Sequence, residues 1–261
     1  MLNIKQVGKY VALCKEQNEI IFFEQGKPVG KPLGYHRDVG NARCYACSKN
    51  AKVFGDRLFF VNTDCRLEVF DAATDKVEVL PPSDVADFFL ESRGGLMDVP
   101  RIVHLNFQGV VSDGIDSVDL PKSSNLENMV WTNISRLRRN ILVAGVQSKS
   151  PFLNHLFMID RYSFRILDSQ SIQDEVVDSG YENPILHALP LIHNKTEFVL
   201  CVRDINRLDL IGILRREIVV MSRLEMNDRS IGNIYGCSAF DDCWWIGGSD
   251  LKKIRLITKK D

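Results

Sequence analysis

Residues 57–80 read RLFFVNTDCRLEVFDAATDKVEVL. Short apolar runs alternate here with polar turns, which is typical of consecutive antiparallel β-strands. In the last run Val77 and Val79 point to one side of the chain and Glu78 to the other, so one face is expected to be buried and the other partly wet. The stretch predicts three neighbouring strands of one sheet, at 57–61, 66–70 and 76–80, joined by turns at 62–64 and 72–75.

Strands of this kind recur along the chain at a regular interval. The third strand of each recognisable unit is marked by an apolar residue, and these residues are 47, 89 and 95 positions apart, so the last two intervals are each about two periods. A period of roughly 44–47 residues is the size of a four-stranded propeller blade. The sequence therefore predicts an all-β fold, a single β-propeller domain of about six four-stranded blades over residues 1–261. The marker residues are Phe23, Phe70, Ile159 and Ile254.

A second repeat agrees with this period. The tetrapeptide YACS at 45–48 recurs as YGCS at 235–238, an interval of about four blades. The last unit, which begins near Tyr235, ends after three strands, while 3–7 is a strand-like stretch outside every unit. We therefore predict that the amino-terminal strand pairs with the last blade and closes the ring.

One segment follows a helical spacing instead. Val85, Phe88 and Phe89 lie at positions i, i+3 and i+4 behind Ser83, a good helix-capping residue. The pattern predicts a short helical insertion near 83–93.

The stretch from Tyr45 to Pro82 resembles a kelch repeat, with an apolar second strand, a third strand ending in an aromatic residue and Asp, a turn and a fourth strand. The family's seven-residue spacing from that aromatic residue is kept between Phe70 and Val77. The resemblance implies a propeller that binds other proteins, as a scaffold or recognition subunit of a larger intracellular complex. A WD-repeat propeller is the nearest alternative.

Composition restricts the function classes. The chain has 33 basic and 34 acidic residues, a formal net charge of -1, which does not favour a nucleic-acid-binding protein. Apolar runs such as 198–202 are far shorter than the roughly 20 residues needed to span a bilayer. No secretory signal is recognisable, so a cytoplasmic location without membrane contact is expected.

The cysteines give no clear metal site. Cys44 and Cys47 form the single C-x2-C pair among seven cysteines. On a strand, residues i and i+3 point to opposite faces, so both thiolates could not bind one ion without a bend. We predict buried reduced cysteines, no metal and no cofactor.

Catalytic motifs are also missing from the sequence, so we expect a protein without enzymatic activity. The alternative is a propeller enzyme, a hydrolase or lyase, with its site in the central channel. Asp113, in a predicted turn, and His187, on a predicted inner strand, are its isolated candidates. A hydrogen-bonded structural role is the commoner reading of such a histidine.

A propeller offers a rim on which loops from different blades meet. Tyrosine and arginine are enriched where partners bind tightly. We therefore predict binding of another protein by a chain that is itself monomeric. The predicted partner-binding residues are Tyr35, His36, Arg37, Tyr181, Arg203, Asp204 and Arg207.

The densest basic run is Arg136-Leu137-Arg138-Arg139, at a predicted turn between the first and second strands of a unit. Solvated charge is the ordinary explanation for such a run. A weaker alternative is an RNA-associated subunit that uses these arginines.

Overall fold

The chain folds into two compact units, residues 1–119 and 120–261, each described here by itself. The regular elements are β-strands, and none of the residues described forms a helix that could cross a membrane. The computed structural model describes residues 3–15, 19–34, 51–62, 64–92, 99–121, 129–147, 153–173, 184–203, 207–225, 236–240, 243–247 and 251–256.

The first unit contains three antiparallel sheets of four strands, each built from strands that are consecutive in sequence. The first sheet is β1 (Asn3–Val7), β2 (Tyr10–Lys15), β3 (Glu19–Glu24) and β4 (Lys27–Gly34). The second is β5 (Ala51–Phe54), β6 (Arg57–Val61), β7 (Leu67–Asp71) and β8 (Lys76–Val79). The third is β9 (Val85–Glu91), β10 (Arg101–Asn106), β11 (Val110–Ser112) and β12 (Ser117–Asp119).

The second unit repeats this arrangement. The fourth sheet is β13 (Met129–Arg136), β14 (Asn140–Gln147), β15 (Leu153–Asp160) and β16 (Ile166–Gln173). The fifth is β17 (Ile185–His193), β18 (Thr196–Arg203), β19 (Arg207–Leu214) and β20 (Glu217–Glu225). The sixth, within the described part of the chain, has three strands: β21 (Gly236–Phe240), β22 (Cys243–Gly247) and β23 (Leu251–Arg255).

The predicted period is confirmed at the four marker residues. Phe23, Phe70, Ile159 and Ile254 lie on β3, β7, β15 and β23, each the third strand of its sheet. The YACS copy at 45–48 lies outside the described residues.

The predicted pairing of the amino-terminal strand with the last blade is wrong. β1 pairs with β2, with Asn3 opposite Cys14 and Val7 opposite Tyr10. The two strands are joined by two residues, and Gly8 has a φ of 54°, which a glycine adopts without strain. A local hairpin closes a very short loop, so it costs far less chain entropy than a pairing between the chain ends.

The predicted helix near 83–93 is also wrong, because Val85–Glu91 form β9. Six of its seven residues are buried, so the strand is covered on both faces and reads as one apolar run. Such a run satisfies a helical spacing at Val85, Phe88 and Phe89 as readily as a strand pattern.

The strand at 76–80 also differs from its prediction. β8 is the outermost strand of its sheet and all four of its residues are exposed, including Val77 and Val79. Its expected buried face is absent.

Consecutive sheets pack face to face within each unit. In the first unit the rings of Phe22 and Phe70 lie 4.3 Å apart between the first two sheets. In the second unit, Leu142 and Leu156 of the fourth sheet pack with Val199 and Ile211 of the fifth. Each sheet thus covers the apolar face of its neighbour, which a lone four-stranded sheet could not do.

Hydrogen bonds from side chains to backbone fix these sheets in the second unit. The Ser135 hydroxyl donates to the Ala188 carbonyl (2.7 Å), and the Ile218 amide donates to Asp168 (2.7 Å). The indole of the fully buried Trp244 donates to the Leu189 carbonyl (2.9 Å). These hydrogen bonds therefore join strands of neighbouring sheets.

Candidate functional site

A groove of about 720 Å³ lies between turns of the fourth and fifth sheets. Its lining comes from the ends of hairpins, where side chains are free to face solvent. We call it the cationic groove. Its basic residues are Arg138, Arg139, Lys195, Arg215 and Arg216, its acidic residues are Asp160, Glu197 and Glu217, and its apolar residues are Ile213, Leu214 and Val219.

The turn between β13 and β14 supplies the first two arginines. Leu137 is buried, and its amide donates to the Asn140 carbonyl (2.9 Å), which tightens the turn. With Leu137 held inside, Arg138 and Arg139 stay exposed at the tip. The local sequence therefore presents two charges at one corner of the groove.

Two other hairpins supply the remaining cations with unusual backbone angles. Asn194 and Lys195 join β17 to β18 with φ of 48° and 68°, and Arg215 and Arg216 join β19 to β20 with φ of 51° and 72°. Two-residue hairpin turns with both φ values positive prefer Asn and Gly. A left-handed conformation costs an ordinary residue about 1–2 kcal/mol. The Arg215-Arg216 pair is therefore a strained choice for its turn.

Two of the groove's three carboxylates are engaged by the backbone. Asp160 accepts hydrogen bonds from the amides of Tyr162 (3.0 Å) and Ser163 (2.8 Å), and the bonds from Ser163 in particular lower the pKa of Asp160. Glu197 accepts from the Arg138 amide (2.7 Å); burial nevertheless raises the pKa of Glu197. These acids hold turns in place.

The five basic side chains keep their charge open to solvent. All five are exposed, and none forms an ion pair with any residue that the structure describes. Guanidinium groups bind carboxylates and phosphates through paired hydrogen bonds. The groove can therefore bind an anionic group. Among the described residues, no three His, Cys, Asp or Glu side chains are placed to hold a metal ion.

The opposite end of the fifth sheet holds a buried carboxylate that two arginines share. Arg203 at the end of β18 and Asp209 on β19 are both completely buried, with Nε and Oδ2 2.5 Å apart. Arg223 on β20 approaches the other oxygen of Asp209 at 3.2 Å. We call these three residues the Asp209 cluster.

Two of the predicted partner-binding residues lie at this end of the sheet and are buried. Arg203 is part of the Asp209 cluster, and Arg207, the first residue of β19, is also buried. Both arginines face the interior rather than an exposed rim, because strand pairing continues to the ends of β18 and β19. The other predicted positions, Tyr35, His36, Arg37, Tyr181 and Asp204, lie outside the described residues.

The two candidates for a catalytic role have ordinary structural positions. Asp113 lies in the turn between β11 and β12 and contacts Arg101 at 2.7 Å. Burial alone would raise the pKa of Asp113, but the amides of Asp116 and Ile115, together with Arg101, lower it. His187 is half-buried on β17, the first strand of its sheet. The pair Cys44 and Cys47 lies outside the described residues.

Sequence reasoning singled out Arg138 and Arg139 but missed Lys195, Arg215 and Arg216. One available signal was the pair Arg215-Arg216 between two apolar runs, at the spacing of a two-residue hairpin. Because two-residue hairpin turns prefer Asn and Gly, two arginines at these positions did not indicate a turn.

Comparison with family models and with curated proteins finds no match. Solved structures are similar in fold. The N-terminal domain of Nup159 matches with a TM-score of 0.55 and 12% identity, covering 97% of this chain and 75% of that one. BamB from Moraxella catarrhalis matches with a TM-score of 0.55 and 11% identity, covering 97% and 71%. A structure of S. cerevisiae Dbp5 bound to Nup159 and Gle1 matches with a TM-score of 0.54 and 11% identity, covering 97% of this chain and 74% of that one.

The Nup159 domain and BamB are β-propellers. At such low identity the likeness concerns the fold alone. Together with six antiparallel sheets of consecutive strands, it supports a β-propeller fold for this chain.

Proposed function

We propose that the chain is a non-catalytic protein-interaction module that docks another protein at the cationic groove. The observation that carries this proposal is the set of five exposed basic side chains around one groove, none of which forms an ion pair with a described residue. These side chains outnumber the three acids of the groove, so its surface is positively charged. Unpaired, exposed arginines at hairpin tips suit recognition of a partner.

The fold is consistent with this role. In our proposal the six sheets are the blades of a single kelch-like propeller that acts as a scaffold or recognition subunit in the cytoplasm. The chain is monomeric by itself, and its assembly comes from the partner. A similar structure contains Dbp5 bound to Nup159, which supports an interaction role for a chain of this fold.

The experiment compares partner capture by three forms of the protein. The groove variant is Arg215→Glu with Arg216→Glu. The matched control is Arg66→Glu with Lys76→Glu, the same charge change at exposed positions of the first unit. Each tagged form is expressed in the native cell and cross-linked, and the recovered proteins are quantified by mass spectrometry.

We expect the wild type and the control to recover the same protein in comparable amounts, and the groove variant to recover roughly tenfold less. Equal recovery by the groove variant would show that docking occurs elsewhere. A wild-type protein that sediments alone and captures nothing would end the interaction role itself.

A further inference from the structure

We infer that the segment bound in the cationic groove is a short acidic peptide in which carboxylate side chains flank an aliphatic residue. This inference rests on the proposed function, because it names the chemistry of the partner at that same site.

Charge is the first argument. Asp160 and Glu197 accept hydrogen bonds from backbone amides of neighbouring turns, and their charges attract Arg216 and Arg138 respectively, although neither acid forms an ion pair with these arginines. With Glu217 the groove has three acids against five exposed cations, an excess of two positive charges. A ligand that carries negative charge would complement this excess. Carboxylates fit this need, because each can accept two hydrogen bonds from one guanidinium group.

The apolar lining is the second argument. Ile213, Leu214 and Val219 lie among the cations, and Leu214 is 39% exposed although it is a large aliphatic residue. A purely ionic ligand would leave this surface in water. One branched aliphatic side chain between the acidic ones would cover it and add apolar burial to the ionic contacts.

The residue types of the lining favour a peptide over a nucleic acid. Single-stranded RNA is held by aromatic rings on which its bases stack. None of the described residues that line the groove is aromatic. Tyr162, two residues beyond Asp160, is an exposed ring outside this lining, and the Arg161 guanidinium lies 4.9 Å from its centroid. A volume of about 720 Å³ suits a short segment.

The strained turn is the fourth argument. Arg215 and Arg216 both have positive φ at the edge of the groove. Strained backbone of this kind persists where surrounding structure holds it and clusters at binding sites. This two-residue turn presents two exposed arginines at the edge of the groove.

The test uses fluorescence anisotropy with the fluorescein-labelled heptapeptide DEELEED. Its comparison probes are the amide peptide NQQLQQN, the serine peptide DEESEED and a single-stranded oligouridylate of equal length. Proteins are the wild type, Arg215→Glu with Arg216→Glu, and the control Arg66→Glu with Lys76→Glu. Arg139→Glu, on a separate turn, serves if the double variant melts at a lower temperature than the wild type.

The inference predicts that DEELEED binds, that groove variants bind it roughly tenfold more weakly, and that the control binds as the wild type does. Affinity should fall between about 50 mM and about 200 mM salt. The amide peptide should not bind, and the serine peptide should bind several-fold more weakly.

Three results would overturn the inference. One is equal binding of DEELEED by groove variants and control. Another is equal affinity for DEELEED and its serine version. The third is tighter binding of oligouridylate than of DEELEED, together with loss of that oligouridylate binding in the groove variants. This result would make the groove a nucleic-acid site.

Failure of this inference differs from failure of the proposed function. If cellular partner capture is lost in the groove variant, but DEELEED neither binds nor competes with that partner, the groove docks a protein of different chemistry. If partner capture persists in the groove variant, the proposed docking site itself is wrong.

Discussion

The two ends of the fifth sheet treat charge in opposite ways. At one end, Arg203 and Asp209 are buried at 2.5 Å from each other, and Arg223 adds a second contact. At the other end, Lys195, Arg215 and Arg216 are exposed and make no ion pair with any described residue. The same sheet thus carries the buried Asp209 cluster at one end and exposed basic residues of the cationic groove at the other. Paired charges position strands, whereas unpaired charges remain available for a ligand.

The first unit supports this distinction. Arg101 at the start of β10 contacts Glu91 on the adjacent strand at 3.3 Å and Asp113 at 2.7 Å. Where the chain buries an arginine, acids on neighbouring strands and turns are supplied to it. The exposed groove arginines form no ion pair with a described residue, so their charge remains available to a ligand.

The largest effect is expected at the Asp209 cluster. Asp209→Asn removes the carboxylate charge that Arg203 and Arg223 share at a fully buried position, which should lower the free energy of unfolding by about 3–5 kcal/mol. Urea denaturation measures this change. Asp64→Asn, at an exposed turn, should stay within about 0.5 kcal/mol of the wild type. The comparison fails if the two variants are equally stable.

A smaller loss is expected from overpacking in the fourth sheet. A Cβ at position 145 would lie 2.6 Å from Met129 Cε and 2.9 Å from Trp131 Cε3. Gly145→Ala should therefore lower the free energy of unfolding by about 1–3 kcal/mol while leaving peptide affinity unchanged. Ser169→Ala, an exposed change on β16, is the matched control in the same denaturation series. A Gly145→Ala protein as stable as its control would contradict this packing.

A change in the strained turn at the groove should raise the free energy of unfolding instead of lowering it. Replacing Arg215-Arg216 by Asn-Gly supplies the residues that a turn with two positive φ values prefers. The free energy of unfolding should rise by about 1 kcal/mol, because left-handed strain is relieved. Urea denaturation again measures it. The control Arg66→Asn with Lys76→Gly removes the same charges at positions without such strain, and a rise there too would assign the gain to charge.

The smallest effect concerns pH, since His104 is only half-buried. Burial lowers the pKa of His104, partly offset by the charge of Asp113. The unfolded chain then takes up the proton at a higher pH than the folded one, so stability is full above about pH 6.5 and falls as the pH drops below that value. His104→Leu should flatten this slope in urea denaturation at stepped pH. An unchanged slope would remove His104 as its source.

Much of the fold could be predicted from the sequence. The apolar markers, such as the buried Phe70 and Ile159, recur on the third strand of their sheets, so the period survives when residue types change. The helix at 83–93 failed because β9 is covered on both faces, and its continuous apolar run has no strand alternation. The closure failed because Gly8 permits a local hairpin that outcompetes a long-range pairing.

Only part of the candidate site could be predicted from the sequence. Arg138 and Arg139 are adjacent in sequence and were recognised as a basic turn. Lys195, Arg215 and Arg216 join them through the packing of two sheets, which no local pattern encodes. The predicted rim arginines, Arg203 and Arg207, are buried, and Arg203 pairs with Asp209 of the adjacent strand, which stands opposite Cys201 in the register.

The affinity of the Asn-Gly variant at positions 215 and 216 for DEELEED tests the central claim most directly. The account predicts a protein that is more stable than the wild type yet binds the peptide roughly tenfold more weakly, because the guanidinium groups serve the ligand and not the fold. Wild-type affinity in this variant would contradict the account.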